Sequence, residues 1–227
     1  MPQIFPRRAN ALPALSLAGA FGGGVLAIAG LWYYASPEFT DVGYMPEQPV
    51  PYSHQQHVGQ LGMDCRYCHN HVEQSEHANI PSTQTCMNCH SQIQTQSLNL
   101  LPVRESWATG EPIQWVNVHH IPDYAHYPHG AHSNVGNGLA IGCETCHGRI
   151  DQMEVVYQVE PLSMGWCLEC HRAPEEHLRP QSELTTMGYN ERVRRDPETY
   201  ARYVSQNRDY VEQMGIKPPQ NCSACHY

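Results

Sequence analysis

The stretch that decides the fold is "YSHQQHVGQLGMDCRYCH", residues 52–69. It places two histidines, His54 and His57, in front of a Cys-x-x-Cys-His motif that ends in a histidine of its own. Four more copies of this motif follow, and the five copies contain all ten cysteines of the chain: CRYCH (65–69), CMNCH (86–90), CETCH (143–147), CLECH (167–171) and CSACH (222–226). We number them motifs 1 to 5 in chain order. No cysteine is left over for a disulfide bond.

The histidine after every second cysteine predicts covalent attachment of haem c. Cysteine pairs at this spacing also occur in disulfide frameworks and zinc sites, but neither requires a histidine at the next position. In c-type attachment two thiols add to the haem vinyl groups and the histidine lies under the iron as its proximal ligand. We expect five haem c groups, attached through Cys65, Cys68, Cys86, Cys89, Cys143, Cys146, Cys167, Cys170, Cys222 and Cys225, with proximal ligands His69, His90, His147, His171 and His226.

The composition suits a chain wrapped around such groups. The 227 residues include only 3 Phe, against 17 Gly, 18 Pro and 15 His. These proportions favour loops over a large aliphatic core. The expected fold is therefore a multihaem cytochrome c, mainly irregular coil with short α-helices around five haems, little β-structure and one N-terminal transmembrane helix. Without haem, we expect the chain to be largely unfolded.

An uncharged segment near the N-terminus predicts a membrane anchor. Residues 11–34 contain no charged side chain, and this length is enough to cross a hydrocarbon core of about 30 Å. The preceding Arg7 and Arg8 favour a cytoplasmic N-terminus. The segment closes with residues typical of an interfacial aromatic belt: Trp32, Tyr33 and Tyr34.

A cleaved signal peptide is the alternative for this segment, because Ala27-Ile28-Ala29 resembles a processing site. The apolar stretch is longer than that of a typical signal peptide, which favours a retained anchor. We expect a cytoplasmic N-terminus over residues 1–10, an anchor in the inner (cytoplasmic) membrane over 11–34, and a periplasmic domain over 35–227.

The charge of the chain bears on its partners. The formal net charge is −9, and haem propionates would make the protein more acidic. Binding to nucleic acid is therefore not expected, whereas docking onto a basic or complementary protein surface is.

Two parts of the chain follow the same pattern. Each begins with aromatic-x-His-x-x-His, at residues 52–57 and 127–132, and each continues with two of the motifs. This indicates a duplicated two-haem module, over about 52–92 and 127–172. A terminal segment, over about 190–227, carries a helix and the fifth haem.

The helix of the terminal segment is marked at both ends. Asp196 is suited to the N-cap, Pro197 to the first helical position, and Gly215 to the end. Between them a stripe at helical spacing predicts a face packed on haem edges: Tyr200, Tyr203, Val204, Asn207, Val211 and Met214.

Electron-transfer haems need a sixth ligand, which is His or Met. Two histidines of a His-x-x-His turn point the same way, so they cannot easily bind one iron from opposite sides. They can reach two neighbouring haems, one of them the haem of the following motif. We therefore expect four distal ligands in two linking pairs: His54, His57, His129 and His132.

The fifth distal ligand stays open on this reasoning. Its candidates in "QWVNVHHIPDYAHYPH" are His119, His120 and His126, and Met164 is the alternative, with Met153 further back. The three histidines that lie among polar residues are interpreted as surface or propionate-contacting groups: His71, His77 and His177.

Several longer segments resemble a known family. "SHQQHVGQLGMDCRYCH" is similar to the opening of small multihaem cytochromes of the c3/c7 type. The set formed by CRYCH, "IPSTQTCMNCH", "PIQWVNVHHIPDYAHYPHGAH", "GCETCHG" and "MGWCLECHR" resembles the pentahaem, membrane-anchored cytochrome c subunit of alternative complex III, over about residues 31–227. The resemblance aligns a family V-H-x-L-P-D pattern with 118–123, which favours His119 as the fifth ligand, and Met164 also fits the family pattern.

The resemblance implies both function and partners. It implies a quinol-oxidising complex with an iron–sulfur subunit related to molybdopterin oxidoreductases, polytopic quinol-binding membrane subunits and a monohaem cytochrome c. The chain itself would be an electron relay and not an enzyme, passing electrons to a periplasmic carrier or an oxidase. The alternative is a membrane-anchored multihaem quinol dehydrogenase that feeds a periplasmic reductase. A pentahaem nitrite reductase is disfavoured, because that family has a lysine in place of one motif histidine and a longer chain.

Overall fold

The computed structural model describes residues 5–227, in two compact units, Met1–Val42 and Gly43–Tyr227. The first unit contains a 3₁₀ turn, Arg7–Ala11, and helices α1 (Leu12–Tyr34) and α2 (Pro37–Thr40). Within the described residues one helix, Arg8–Tyr34, is long and apolar enough to cross a membrane, with a mean hydropathy of 1.8. A signal sequence meets the same criteria. The predicted apolar helix is thus confirmed, and its retention as an anchor stays a prediction.

The second unit consists of short helices joined by irregular coil, as the sequence predicts. Its helices are α3 (Cys65–Cys68), α4 (Thr83–His90), α5 (Leu101–Thr109), α6 (His129–Ser133), α7 (Glu144–His147), α8 (Met164–Arg172), α9 (Tyr189–Arg194) and α10 (Pro197–Met214). Shorter turns are the π-helical Gln55–Gln60 and the 3₁₀ turns Leu98–Leu100, Ile150–Gln152, Pro174–Glu176, Gln181–Glu183 and Cys222–Ala224. Strands β1 (Leu139–Ile141) and β2 (Leu178–Pro180) pair antiparallel, with Ala140 opposite Arg179. Over the described residues the fold class is that of the prediction.

Helix α10 has the ends that its sequence predicts. The Asp196 carboxylate accepts a hydrogen bond from the backbone N–H of Thr199 at 2.8 Å, and Gly215 ends the helix in the left-handed conformation. Two residues of the predicted stripe, Tyr203 and Asn207, donate side-chain hydrogen bonds to the carbonyl oxygen of Leu178. The helix thereby holds the chain segment that follows motif 4.

The apolar core of the described chain is small. Besides Pro174, seven apolar side chains are buried within residues 5–227: Val50, Val103, Ala140, Met153, Leu178, Leu184 and Tyr189. A globular unit of this length normally buries well over half of the surface of its unfolded chain. The short helices therefore depend on something other than aliphatic packing for their positions.

Candidate functional site

The five motifs adopt similar local structures. Motifs 1, 2, 3 and 4 lie in or at the ends of α3, α4, α7 and α8, and motif 5 lies at the 3₁₀ turn Cys222–Ala224. In motifs 1, 3 and 5 the backbone N–H of the histidine bonds back to the carbonyl of the first cysteine, at 2.8, 3.0 and 3.0 Å. A helical turn brings residues three apart onto one face, so both thiols of a motif point to the same side. All ten thiols are unpaired, as thioether formation requires.

The orientation of the motif histidines leaves one ring nitrogen free. A backbone carbonyl can only accept a hydrogen bond, so a ring Nδ1 beside it carries the proton and Nε2 keeps its lone pair. Four motif histidines donate Nδ1–H in this way: His69 to Asn79 (2.6 Å), His90 to Ile93 (3.1 Å), His171 to Pro219 (2.6 Å) and His226 to Tyr124 (3.2 Å). Their Nε2 atoms are set as metal ligands.

The two His-x-x-His turns are near copies in three dimensions. Tyr52 lies edge-on to His54 at 4.8 Å between ring centres and stacks on His57 at 4.5 Å. The second copy repeats this arrangement, with Tyr127 4.9 Å from His129 and 4.3 Å from His132. The second histidine of each turn donates Nδ1–H to the carbonyl four residues earlier, at 2.8 and 2.9 Å. The duplication read from the sequence therefore extends to side-chain geometry.

Three histidine ring pairs have the separation that a shared iron requires. Two imidazoles on opposite sides of one metal ion have ring centres about 6 Å apart, because each metal–nitrogen bond is about 2 Å and each ring centre lies about 1 Å further. The three pairs that match are His57–His90 at 6.1 Å, His132–His171 at 6.1 Å and His129–His147 at 6.5 Å. The rings of the last pair are inclined by only 13°. These residues fit a haem iron with two histidine ligands.

His119 lies beside motif 3. Its ring centre is 4.3 Å from that of His147, which is too close for an iron between them, and its Nε2 is 3.3 Å from Nδ1 of His147. The ring contact of His226 in motif 5 is instead with Tyr124, at 5.7 Å. The structure thus brings His119 to a motif histidine, in the position of a hydrogen-bond partner of its ring. Its role as the fifth distal ligand stays a prediction.

The other candidates for the fifth ligand are spread over the domain. His126 lies on motif 5, where its Nε2 donates to the carbonyl of Ala224 at 2.8 Å and its buried Nδ1 has no hydrogen-bond partner. The His120 side chain is 64% exposed and 3.7 Å from Asp123. Met164, the first residue of α8, is 67% exposed. Of these three, His126 is the one in contact with the last motif.

Burial keeps several of these histidines neutral. Burial, with the charges of neighbouring histidines as a smaller cause, lowers the pKa of His54 and of His119 to about 4 and that of His147 to about 3. A neutral imidazole is the form that binds a metal ion. The buried Nδ1 of His54 has no hydrogen-bond partner.

One buried ion pair was not expected from the sequence. Arg179, with no exposed surface, donates to Glu144 at 2.9 Å and to Asn190 at 2.7 Å. Glu144 is the residue after the first cysteine of motif 3, and its carboxylate also accepts from the backbone N–H of Gly188 and Asn190, both at 2.6 Å. The pair fixes motif 3 on β2 and on the N-terminal end of α9. A single sequence carries no sign of it, because the partners are 35 residues apart.

The known proteins to which this chain is similar also bind haem c. Residues 50–105, which contain the first His-x-x-His turn and motifs 1 and 2, match the family model described as cytochrome c7 and related cytochrome c. Over 175 residues the chain is 30% identical to the menaquinone reductase multiheme cytochrome c subunit of Nitratidesulfovibrio vulgaris, covering 70% of this chain and 81% of the relative. The thiol pairs, the free Nε2 atoms and the ring separations all fit the covalent haem c of such proteins. The chain therefore belongs to the multihaem cytochromes c.

Proposed function

We propose that this chain is the electron-transfer subunit of a quinol-oxidising membrane complex in a respiratory or photosynthetic chain. The observation that carries the proposal is the separation of the three histidine ring pairs, at 6.1, 6.1 and 6.5 Å. This separation suits irons with a histidine on both sides, which transfer electrons but leave no position for a substrate. The chain would then relay electrons to a periplasmic carrier or oxidase, without being an enzyme by itself.

The proposed cofactors are five covalently bound haem c groups. Each pair of motif cysteines would hold one group, and the motif histidine would be its proximal ligand. The ring pairs support His57, His129 and His132 as distal ligands for motifs 2, 3 and 4, and this leaves His54 for motif 1. For motif 5 the candidates are His126, which contacts that motif, His119, which the sequence resemblance favours, and Met164.

The proposed complex is of the alternative complex III type. The relative from Nitratidesulfovibrio vulgaris is named as a subunit of a menaquinone reductase, which supports a role next to quinone chemistry. Its name gives the reducing direction, so the oxidising direction proposed here rests on the resemblance of the sequence motifs. The partners would be an iron–sulfur subunit of the molybdopterin oxidoreductase type, polytopic quinol-binding subunits and a monohaem cytochrome c.

The first unit supports a proposed membrane topology. Residues 11–34 would anchor the chain in the inner membrane, with residues 1–10 in the cytoplasm and residues 35–227 in the periplasm. The helix over Arg8–Tyr34 supports the anchor. Because a single helix cannot enclose a quinone, quinol oxidation would take place in a polytopic partner.

Purification from native membranes tests the proposal. We expect five haems per chain by pyridine haemochrome assay and intact mass, six-coordinate low-spin spectra, and haem reduction by added quinol only while the partner subunits are present. A high-spin haem in the oxidised wild type, or fewer than five haems, would contradict it. Quinol oxidation by the isolated chain would support the alternative, a membrane-anchored multihaem quinol dehydrogenase.

Two matched variants identify the fifth ligand. If His119 binds the fifth iron, H119A converts one haem to a high-spin form and H126A does not. The reverse result assigns the position to His126. A high-spin conversion in neither variant would direct the search to Met164, through M164A.

A further inference from the structure

We propose that motifs 1 to 5 hold their haems in the unbranched spatial order 2–1–3–4–5, which differs from their order in the chain. The proposal rests on the proposed function in one respect, that all five motifs carry haem. Four sets of contacts between motifs carry it, and each set joins one pair of neighbours.

Motif 2 lies against motif 1. Asn88, inside motif 2, donates from Nδ2 to the hydroxyl of Tyr67, inside motif 1, at 3.3 Å. One turn carries the proposed ligands of both motifs. His57 pairs with His90 of motif 2, and His54, at the start of the turn, is the proposed ligand for motif 1. A side-chain hydrogen bond and a shared turn therefore join these two motifs.

Motif 1 also lies against motif 3, on the other module. Two consecutive residues tie both motifs together: Thr185 donates to Asp64 at 2.9 Å, and Leu184 accepts from the backbone N–H of Cys143 at 3.1 Å. Motifs 1 and 3 are thus neighbours although 73 residues, 70–142, lie between them in the chain.

The two modules exchange contacts around this junction. Each His-x-x-His turn packs on the segment that follows the first motif of the other module. In one direction the N–H of Gln55 donates to Met153 at 3.0 Å; in the other the N–H of His129 donates to Glu76 at 3.1 Å. The side chain of Ser53 donates to Glu154 at 2.5 Å. The reciprocal packing joins the two modules through the segments that follow motifs 1 and 3.

Motif 4 continues the order from motif 3. Helix α6 carries both His129, whose ring faces His147 of motif 3, and His132, whose ring faces His171 of motif 4. One helical turn therefore serves both motifs.

Motif 5 lies beyond motif 4. The ring Nδ1 of His171 donates to the carbonyl of Pro219 at 2.6 Å, and the Gln220 side chain donates to the His171 carbonyl at 3.3 Å. Motif 5 starts two residues later, at Cys222. The order thus ends at the last motif of the chain.

The exposure of the cysteine thiols agrees with motifs 2 and 5 as the two ends of the proposed order. Cys89 of motif 2 and Cys222 of motif 5 are exposed, whereas the other eight cysteines are partly buried. Bound haem supplies reversible one-electron transfer. Motifs 2 and 5 are therefore the sites at which partner proteins would exchange electrons with the domain. Motif 1, although first in the chain, lies between motifs 2 and 3 in the proposed spatial order.

Iron positions in the full-length holoprotein test the order directly. In a cryo-electron microscopy map of the purified complex, we expect the shortest iron–iron distances to join motifs 2 and 1, 1 and 3, 3 and 4, and 4 and 5. Adjacent irons in motifs 2 and 3, or in motifs 1 and 4, would overturn it. Fewer than five irons would count against the proposed function instead, so the two failures are distinguishable.

A pair of matched variants tests the same order in solution. Replacing a distal histidine by methionine raises the potential of that haem. In haem-resolved redox titrations, H57M should also shift the potential of one neighbour, because motif 2 is an end. H132M should shift two neighbours, because motif 4 lies between motifs 3 and 5. Two shifted neighbours for H57M would contradict the order, and an unchanged haem 2 would instead reject His57 as its ligand.

Discussion

At the scale of single residues, loss of the buried guanidinium of Arg179 should strongly lower the stability of the folded protein. It is the buried cation that faces Glu144, whose side chain is only 3% exposed. R179M should lower the free energy of unfolding of the holoprotein by about 3–5 kcal/mol, because it leaves a buried carboxylate without its partner. Denaturant unfolding followed by circular dichroism measures the loss.

A surface ion pair provides the control for R179M. Arg208 lies 3.2 Å from Glu175, and its side chain is 57% exposed. R208M should change stability by less than about 1 kcal/mol, as exposed pairs do. If R179M and R208M have equal effects, the ion pair of Arg179 does not hold motif 3 in place.

Asp64, the residue before motif 1, should make part of the stability depend on pH. Hydrogen bonds from Arg66, with a smaller effect from the hydrogen bond of Thr185, lower the pKa of Asp64 to about 2. The value in an unfolded chain is about 3.9. A carboxylate with a lowered folded-state pKa stabilises above the unfolded value and loses that contribution as pH falls towards the folded one. Wild type should therefore lose more stability than D64N between about pH 4 and pH 2.

The size of this effect is limited by solvent. The Asp64 side chain is 42% exposed, so the difference should stay below about 1 kcal/mol. Unfolding midpoints of the holoprotein across this pH range measure it. D123N, which changes a fully exposed carboxylate, is the control. Parallel curves for wild type and D64N would show that the hydrogen bonds to Asp64 contribute nothing.

At the scale of elements, the contact between the two modules should be sensitive to one glycine. A Cβ on Gly59 would lie 2.3 Å from the carbonyl oxygen of Asp151, so G59A forces the first His-x-x-His turn away from the segment after motif 3. Overpacking of this kind costs about 1–3 kcal/mol. We expect a lower unfolding temperature and a perturbed low-spin signal from the haem that His57 serves.

Two other glycines, Gly130 in the second His-x-x-His turn and Gly165 in α8, provide controls for G59A in which an added Cβ meets less crowding. The nearest neighbour of a Cβ on Gly130 would be 3.2 Å away, at Gln74, so G130A should have a smaller effect. On Gly165 it would be 3.9 Å away, at Ser163, and G165A should have the least. A different ranking of the three variants would mean that the turn is not held by this contact.

The sequence predicted those elements whose structure depends on residues close together in the chain. Helix α10 begins at an Asp196 cap and ends at Gly215, and both signals lie within the helix or next to it. The motifs and the repeated turn are also local patterns, and they were enough to predict the fold class and candidate ligands. The contacts between modules, the Arg179 pair and the place of His119 beside His147 join residues far apart in the chain. No periodicity or spacing encodes such contacts, so the order of the motifs could not be predicted from the sequence.

At the scale of the whole molecule, a small core and a large set of cofactor sites predict that folding requires haem. Within residues 5–227 only seven apolar side chains besides Pro174 are buried, too few to offset the conformational entropy of a domain of this size. Full-length chain produced without haem attachment, in detergent, should show helix signal from the N-terminal segment only and rapid proteolysis of the rest. The holoprotein in the same detergent is the control, and it should resist the protease and unfold cooperatively. Cooperative unfolding of the haem-free chain would mean that the short helices pack stably without the groups they are expected to surround.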